Sequence, residues 1–190
     1  MDIVEFFQQS SGKWFSQRSS HHFAFKQSEA GKSNLWIEML PKDAPRVVAL
    51  CEHYGVEPTL ALCGVHVTWD GKMEWDKGKP AGSTVLVPIA DPANPNQGRV
   101  LQQLSDAERT LGTGRYTLGN DDVLVLITEN ETLYSEERLW FASPNLRLRT
   151  SVLRQSGSFS TASFCSEIRM GGIKPPETTT ATVQNSGAAS

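Results

Sequence analysis

The sequence predicts an antiparallel β-barrel of about ten strands, with a short N-terminal helix and one further helix. Three observations predict it. From Lys13 onward, segments of strand length rich in β-branched and aromatic residues follow one another. Turn-forming pairs separate them: Asp70-Gly71, Lys77-Gly78, Gly119-Asn120, Pro144-Asn145. Helical periodicity is confined to two short stretches. Consecutive strands joined by short turns form a meander, which removes its exposed edges by closing on itself. About ten strands enclose a ligand-sized space rather than a solid core. A sandwich of two sheets is the rival architecture.

Taken in order, Ile3, Phe6 and Phe7 stand at helical spacing, so residues 2–9 are expected to form an amphipathic helix able to close one barrel end. Gly12 breaks it. Residues 13–26 and 34–40 read as strands. In 42–54, Asp43 is placed to cap, Pro45 suits the first turn, Val47, Val48, Leu50 and Cys51 form an apolar face, and Gly55 ends the helix. Strands are then expected at 59–69, 83–89, 98–104, 112–118, 122–128, 131–142, 145–155 and 158–170, with a Pro/Asn loop at 91–97.

A chain of 190 residues, 38% hydrophobic and 21% charged, suits a single domain over 1–171. Residues 172–190, rich in Thr, Ser, Ala and Pro, are expected to form a tail outside the fold. The net charge of -3 argues against a nucleic-acid binder. No apolar run reaches the roughly 20 residues that span a bilayer, and the acidic start lacks the apolar core of a secretory signal. Cys51, Cys63 and Cys165 form an odd set without a disulfide framework, which fits a reducing cytoplasm.

The residues with chemical potential concentrate late in the chain. Strand alternation puts Arg147, Arg149 and Ser151 on one face, with Leu146, Leu148, Thr150 and Val152 on the other. Glu136, Arg138 and Trp140 align similarly, as do Ser163, Cys165, Glu167 and Arg169. An arginine-rich sheet face is either a solvated exterior or the wall of a cavity for an anion. Arg18 shares a face with Trp14 and Ser16. His21 and His22 point to opposite faces, and Phe23 and Phe25 share the phase of His21, which makes His21 the expected inward residue. Trp69 and Trp75 flank an expected turn at 70–74, where two indoles can stack on a flat ligand. Cys51-Glu52-His53 and Cys63-Gly64-Val65-His66 offer four metal-ligand types, but on a helix end and a strand, with spacing unlike zinc fingers; no metal site is assigned. A Cys165 nucleophile has arginines nearby to favour a thiolate, yet Glu167 opposes ionisation and no His–Asp relay accompanies it. No phosphate loop, dinucleotide fingerprint or hydrolase elbow occurs.

Gly12-Lys13-Trp14, a glycine–x–tryptophan opening the first strand, resembles the start of lipocalin-like and fatty-acid-binding barrels. In those folds a late basic residue covers the tryptophan, and Arg169 stands at the right point in the order. The runs LYSEERLWFASPNLRLRTS and FSTASFCSEIRM, together with GKWFSQRSSHH, resemble the S-type phycobiliprotein chromophore lyases of the CpcS/CpeS family over residues 1–171. The resemblance implies a bilin lyase that binds phycocyanobilin or a related bilin and attaches it by a thioether to a cysteine of a phycobiliprotein subunit. The bilin is a bound substrate, and no cofactor is implied. Arg18, Arg147, Arg149 and Ser151 would hold the bilin through its propionates, and Trp69 and Trp75 would stack on it. Glu136 or Glu167 would contact the pyrrole nitrogens, with His21 assisting proton transfer. A homodimer, or a heterodimer with another lyase subunit, is left open. The alternative reading is a non-catalytic cytosolic carrier of fatty acid or another amphipathic acid, since a barrel with internal arginines serves either.

Overall fold

Antiparallel pairing runs unbroken along the chain from Gly12, each strand bonded to the next in sequence, until the last returns to the first. The computed structural model describes residues 1–23, 26–73, 81–104, 110–129, 131, 133–155 and 160–171. The strands are β1 (Gly12–His22), β2 (Gln27–Leu40), β3 (Gly64–Met73), β4 (Gly82–Asp91), β5 (Asn94–Leu104), β6 (Thr110–Leu118), β7 (Leu124–Glu129), β8 (Leu133–Ser143), β9 (Leu146–Gln155) and β10 (Ser160–Arg169). Pairing of β10 with β1, Trp14 opposite Arg169, closes the barrel and disposes of the sandwich alternative. The tail at 172–190 lies outside the described residues.

Helix α1 (Ile3–Ser10) starts one residue later than the periodicity predicts, because Asp2 is its N-cap. Asp2 Oδ1 accepts from the Glu5 amide at 2.8 Å, and Glu5 Oε2 accepts from the Asp2 amide at 2.9 Å, a reciprocal capping box. The helix buries Ile3, Phe6 and Phe7 against Trp14, Tyr116 and Leu124, plugging one end of the barrel. Gly12, at φ +118°, makes the turn from helix to strand. Arg169 lies 4.2 Å from the centre of the Trp14 ring. It also donates to the carbonyls of Ser11 and Gln9, satisfying orphan acceptors at the end of α1. The expected pairing of a late arginine with the first-strand tryptophan is therefore present.

Helix α2 (Pro45–His53) lies outside the barrel, packing Val47, Leu50 and Cys51 on the outward residues Val85, Val87, Ile89 and Leu101 of β4 and β5. Its N-cap is Ala44, with no side-chain cap bond, so the expected Asp43 cap is absent: Asp43 stands one position too early, and Pro45 at the helix start supplies the preset φ instead.

Four local expectations differ from the structure. The polar stretch 27–33 shows no apolar alternation, yet it extends β2 to 14 residues because β1 and β3 both pair with it. Asp70-Gly71 is no turn; it pairs with Asn34-Ser33 inside β3, where Asp70 Oδ1 accepts from the Asn34 side-chain amide at 2.9 Å. The strand expected from 59 begins only at Gly64, after a 3-10 turn at Pro58–Leu60. The expected loop at 91–97 is instead a tight hairpin, with Asp91 opposite Asn94.

Candidate functional site

Inward positions are fixed by Trp14, which is fully buried. Counting by two from it places Ser16, Arg18, Ser20 and His22 on the inner side of β1. Register then extends this row across the wall: Ser16 opposite Glu167 opposite Arg147, Arg18 opposite Cys165 opposite Arg149, and Ser20 opposite Ser163 opposite Ser151 opposite Glu137. One wall of the interior is thus polar and charged. The facing wall is apolar, built from Leu35, Ile37, Val65, Val67, Leu86 and Leu126. Between them lies a cavity of about 550 Å³, within the range of small-molecule pockets. The arginine face of β9 is therefore a cavity wall and not a solvated exterior.

The charges are arranged in depth. Glu167 is completely buried and accepts from Arg147 Nε at 2.6 Å; Arg147 itself is 5% exposed. Arg149 sits one row nearer the mouth, donating to Glu137 Oε1 at 3.1 Å and lying 3.5 Å from Glu167 Oε1. Its Nη2 also approaches the Cys165 sulfur at 3.6 Å. Burial pulls the Arg149 guanidinium toward neutrality, but the carboxylates of Glu137 and Glu167 outweigh that and hold it firmly cationic. On this wall, the buried atoms Arg149 Nε and Glu167 Oε1 have no hydrogen-bond partner among the described residues. A donor and an acceptor left so in a cavity are groups a ligand can satisfy.

The structure brings together Arg18, Trp69, Arg147, Arg149 and Glu167 on one cavity. Ser151 stands on the same face of β9, its hydroxyl 3.2 Å from that of Ser163. Trp69 lies against Gly82, where any Cβ would run into the indole ring. Trp75 is outside the described residues.

Two expected residues are on the wrong side of the wall. His21 is exposed on the outer face of β1; His22 is the inward histidine, 3.3 Å from Glu29 and 3.2 Å from Thr161. Phe23 misled the phase: it is 62% exposed past the strand's end, and Trp14, not Phe23, sets the alternation. Glu136 likewise points outward, bonded to the Tyr134 hydroxyl at 2.6 Å and Arg138 Nε at 2.8 Å. Those hydrogen bonds, Tyr134 first and Arg138 second, hold its carboxyl below the usual range. Its neighbour Glu137 is the cavity carboxylate. Alternation alone leaves the phase open, since Leu133, Leu139 and Phe141 share the phase of Glu137 while Tyr134 and Trp140 share that of Glu136.

Cys51 is buried on the inner face of α2 and Cys63 in the barrel core, in separate hydrophobic clusters. Among the described residues no cluster of three or more His, Cys, Asp or Glu forms a metal site.

Comparison with known proteins agrees with this geometry. The family model described as CpeS-like protein matches residues 2–170. A chromophore lyase CpcS/CpeS of Thermosynechococcus vestitus is 59% identical over 175 residues, covering 92% of this chain and 96% of its own length. The phycocyanobilin lyase subunit CpcS of a Picosynechococcus species is 45% identical over 171 residues, covering 89% of this chain and 86% of its own. The solved S-type phycobiliprotein lyase CPES of Guillardia theta superposes with a TM-score of 0.81 at 33% identity, over 91% of this chain and 95% of that one. With the family model spanning residues 2–170, the whole of the barrel, the chain belongs to the CpeS-like family.

Proposed function

We propose that this chain is a phycobiliprotein chromophore lyase, binding a linear tetrapyrrole such as phycocyanobilin and attaching it to a cysteine of a phycobiliprotein subunit. The observation that carries the reading is the two-sided cavity: an arginine–glutamate wall on β8, β9, β10 and β1 facing an aliphatic wall. A bilin has the matching two-sidedness, with anionic propionates and a flat apolar conjugated system.

Arg18 and Arg149 receive propionates through charge-assisted bonds. Arg147, held by Glu167, supplies positive field from below. Trp69 stacks on a pyrrole ring, and Trp75 shares that role on sequence grounds. Glu137 and Glu167 accept from pyrrole N–H groups. The acceptor's thiol adds to the ethylidene carbon of ring A. The new C–S bond forms as the double bond opens, and a proton is taken up at the adjacent carbon, so the product is a thioether with nothing expelled. The lyase then requires no covalent nucleophile; it orients the bilin and shields it from wrong addition. The cytoplasm, where thiols stay reduced, suits such an acceptor.

The test mixes purified protein with phycocyanobilin and then with apo-phycobiliprotein. Bilin absorption should redden and sharpen within minutes, a fatty-acid probe should compete poorly, and the chromophore should stay with the acceptor after denaturation. Unchanged bilin absorption beside tight fatty-acid binding would replace this reading with a carrier.

A further inference from the structure

The aliphatic wall of the cavity carries a cluster of uncharged polar groups. Thr84 on β4, Gln102 on β5 and Thr128 on β7 all line the cavity. Thr84 Oγ1 is buried and has no hydrogen-bond partner among the described residues. Gln102 lies opposite Leu86, which puts Thr84 diagonally beside it on the inner face, within reach of one ligand ring. Between Gln102 and Thr128, β6 contributes glycine: Gly112 is opposite Gln102, and Gly114 is opposite Thr128. Gly114 has no room for a side chain, since a Cβ there would meet the Ile127 carbonyl oxygen at 2.5 Å. Gly112 has room, because the nearest atom to its Cβ among the described residues would be Thr128 Cγ2, at 3.8 Å. The result is a recess one side chain deep, floored by the β6 backbone and edged by Gln102, Thr84 and Thr128.

We propose that this recess holds one terminal lactam ring of the bilin, with the Gln102 carboxamide paired to the lactam and the Thr84 hydroxyl donating to its carbonyl; the proposal rests on the lyase reading. A lactam shows a carbonyl and an N–H side by side on one edge. A carboxamide shows the complementary N–H and carbonyl, so the two join through a pair of N–H···O bonds. The lactam oxygen has a second lone pair, which the orphan hydroxyl of Thr84 can fill. Strands β5 and β7 stand ~9.6 Å apart, two strand spacings, and the missing side chain of Gly112 leaves a slot between them for a flat ring.

Charge and hydrogen bonding select this part of the ligand over others. The cluster carries no cation, so the propionates go to the arginine wall and a neutral end of the molecule comes here. An alkyl chain in the same place would leave Thr84 and Gln102 against methylenes without partners, a penalty that disfavours a fatty acid. Holding one end by its lactam and the middle by its propionates fixes which way round the bilin lies. The ring in the recess is enclosed by β4, β5, β6 and β7, so it is the one that does not react. The ethylidene ring at the opposite end is left for the acceptor's thiol.

Titrations with phycocyanobilin, alongside thermal melts, test the proposal. Gly112→Leu should melt no lower than wild type, because its side chain enters open space and replaces a glycine within a strand. It should nevertheless bind phycocyanobilin about tenfold or more weaker. Gln102→Leu and Thr84→Val should each weaken binding by about tenfold, and the three variants together guard against a folding defect in any one. Phycocyanobilin O-methylated to the lactim ether at its non-reacting end lacks the N–H donor of that ring. It should bind wild type about tenfold weaker than phycocyanobilin, whereas Gln102→Leu should bind the two alike, a loss of discrimination that a merely structural change does not produce. A wild type that binds both bilins equally, or a Gly112→Leu or Gln102→Leu variant with full affinity, overturns this proposal and leaves the lyase reading standing. A wild type without affinity for phycocyanobilin overturns the lyase reading and this proposal with it.

Discussion

Arg147 and Arg149 are two residues apart on one face of one strand, yet their surroundings give them different work. Arg147 is the principal partner of the fully buried Glu167, so Arg147→Ala strands a carboxylate away from water. Breaking a buried pair in this way costs roughly 3–5 kcal/mol, and the variant should melt well below wild type. Arg149 is about a quarter exposed and stands nearer the mouth. Arg149→Ala should cost less in stability but remove a propionate contact of roughly 1.5–3 kcal/mol, lowering bilin affinity by one to two orders of magnitude. Thermal melts and bilin titrations of both variants check this; identical behaviour would erase the distinction. Cys63 carries a pH prediction. Burial first, and the Asp2 carboxylate second, push its thiol from 9.0 up to about 11. The folded value is the higher one, so the stability it contributes is complete below pH 9 and is lost as pH rises through 11, on the order of 2 kcal/mol. The wild-type melting temperature should therefore fall more steeply over that window than that of Cys63→Ala; parallel curves would contradict it.

At the scale of elements, alternation was legible and its phase was not. The run LYSEERLWF shows plainly that Glu136 and Glu137 face opposite ways. Which of them meets the cavity depends on whether Trp140 or Leu139 points inward, and the register of Leu139 against Arg149 settles it. The same holds for His21 and His22, where the buried Trp14 sets the phase from the other end of β1. Strand β2 was half hidden because its polar first half is a strand only through its two neighbours. The β3–β4 pair offers a test of how closely elements set the site. Trp69 is opposite Gly82, and the indole occupies the space that a Cβ would need. Gly82→Ala should displace the ring at a cost of about 1–3 kcal/mol and weaken bilin binding. Tryptophan emission should change too, and that change should vanish in a Trp69→Phe background. Unaltered binding and emission would mean that the ring does not rest there.

At the scale of the molecule, closure is what turns a row of arginines into a site. A meander of the same strands left open would show its Arg147 face to water; pairing of β10 with β1 encloses it instead. The closing contacts end at Arg169, which caps α1 and covers Trp14. Removing residues 174–190 should therefore leave the melting temperature and bilin binding as they are. Chromophore transfer should persist as well, and its selective loss with binding intact would assign those residues to acceptor recognition.

Strand number, the two helices, the turn after α1 and the pairing of a late arginine with Trp14 could all be read from the sequence, as could a shared face for Arg147, Arg149 and Ser151. All but the arginine–tryptophan pairing rest on the spacing of residues near one another in the chain; that pairing was implied by the resemblance to lipocalin-like barrels. The choice of Glu137 over Glu136 and of His22 over His21, and the burial of the Arg147–Glu167 pair, belong to the tertiary structure. Alternation is a property of one strand, but inside and outside exist only once another wall stands opposite.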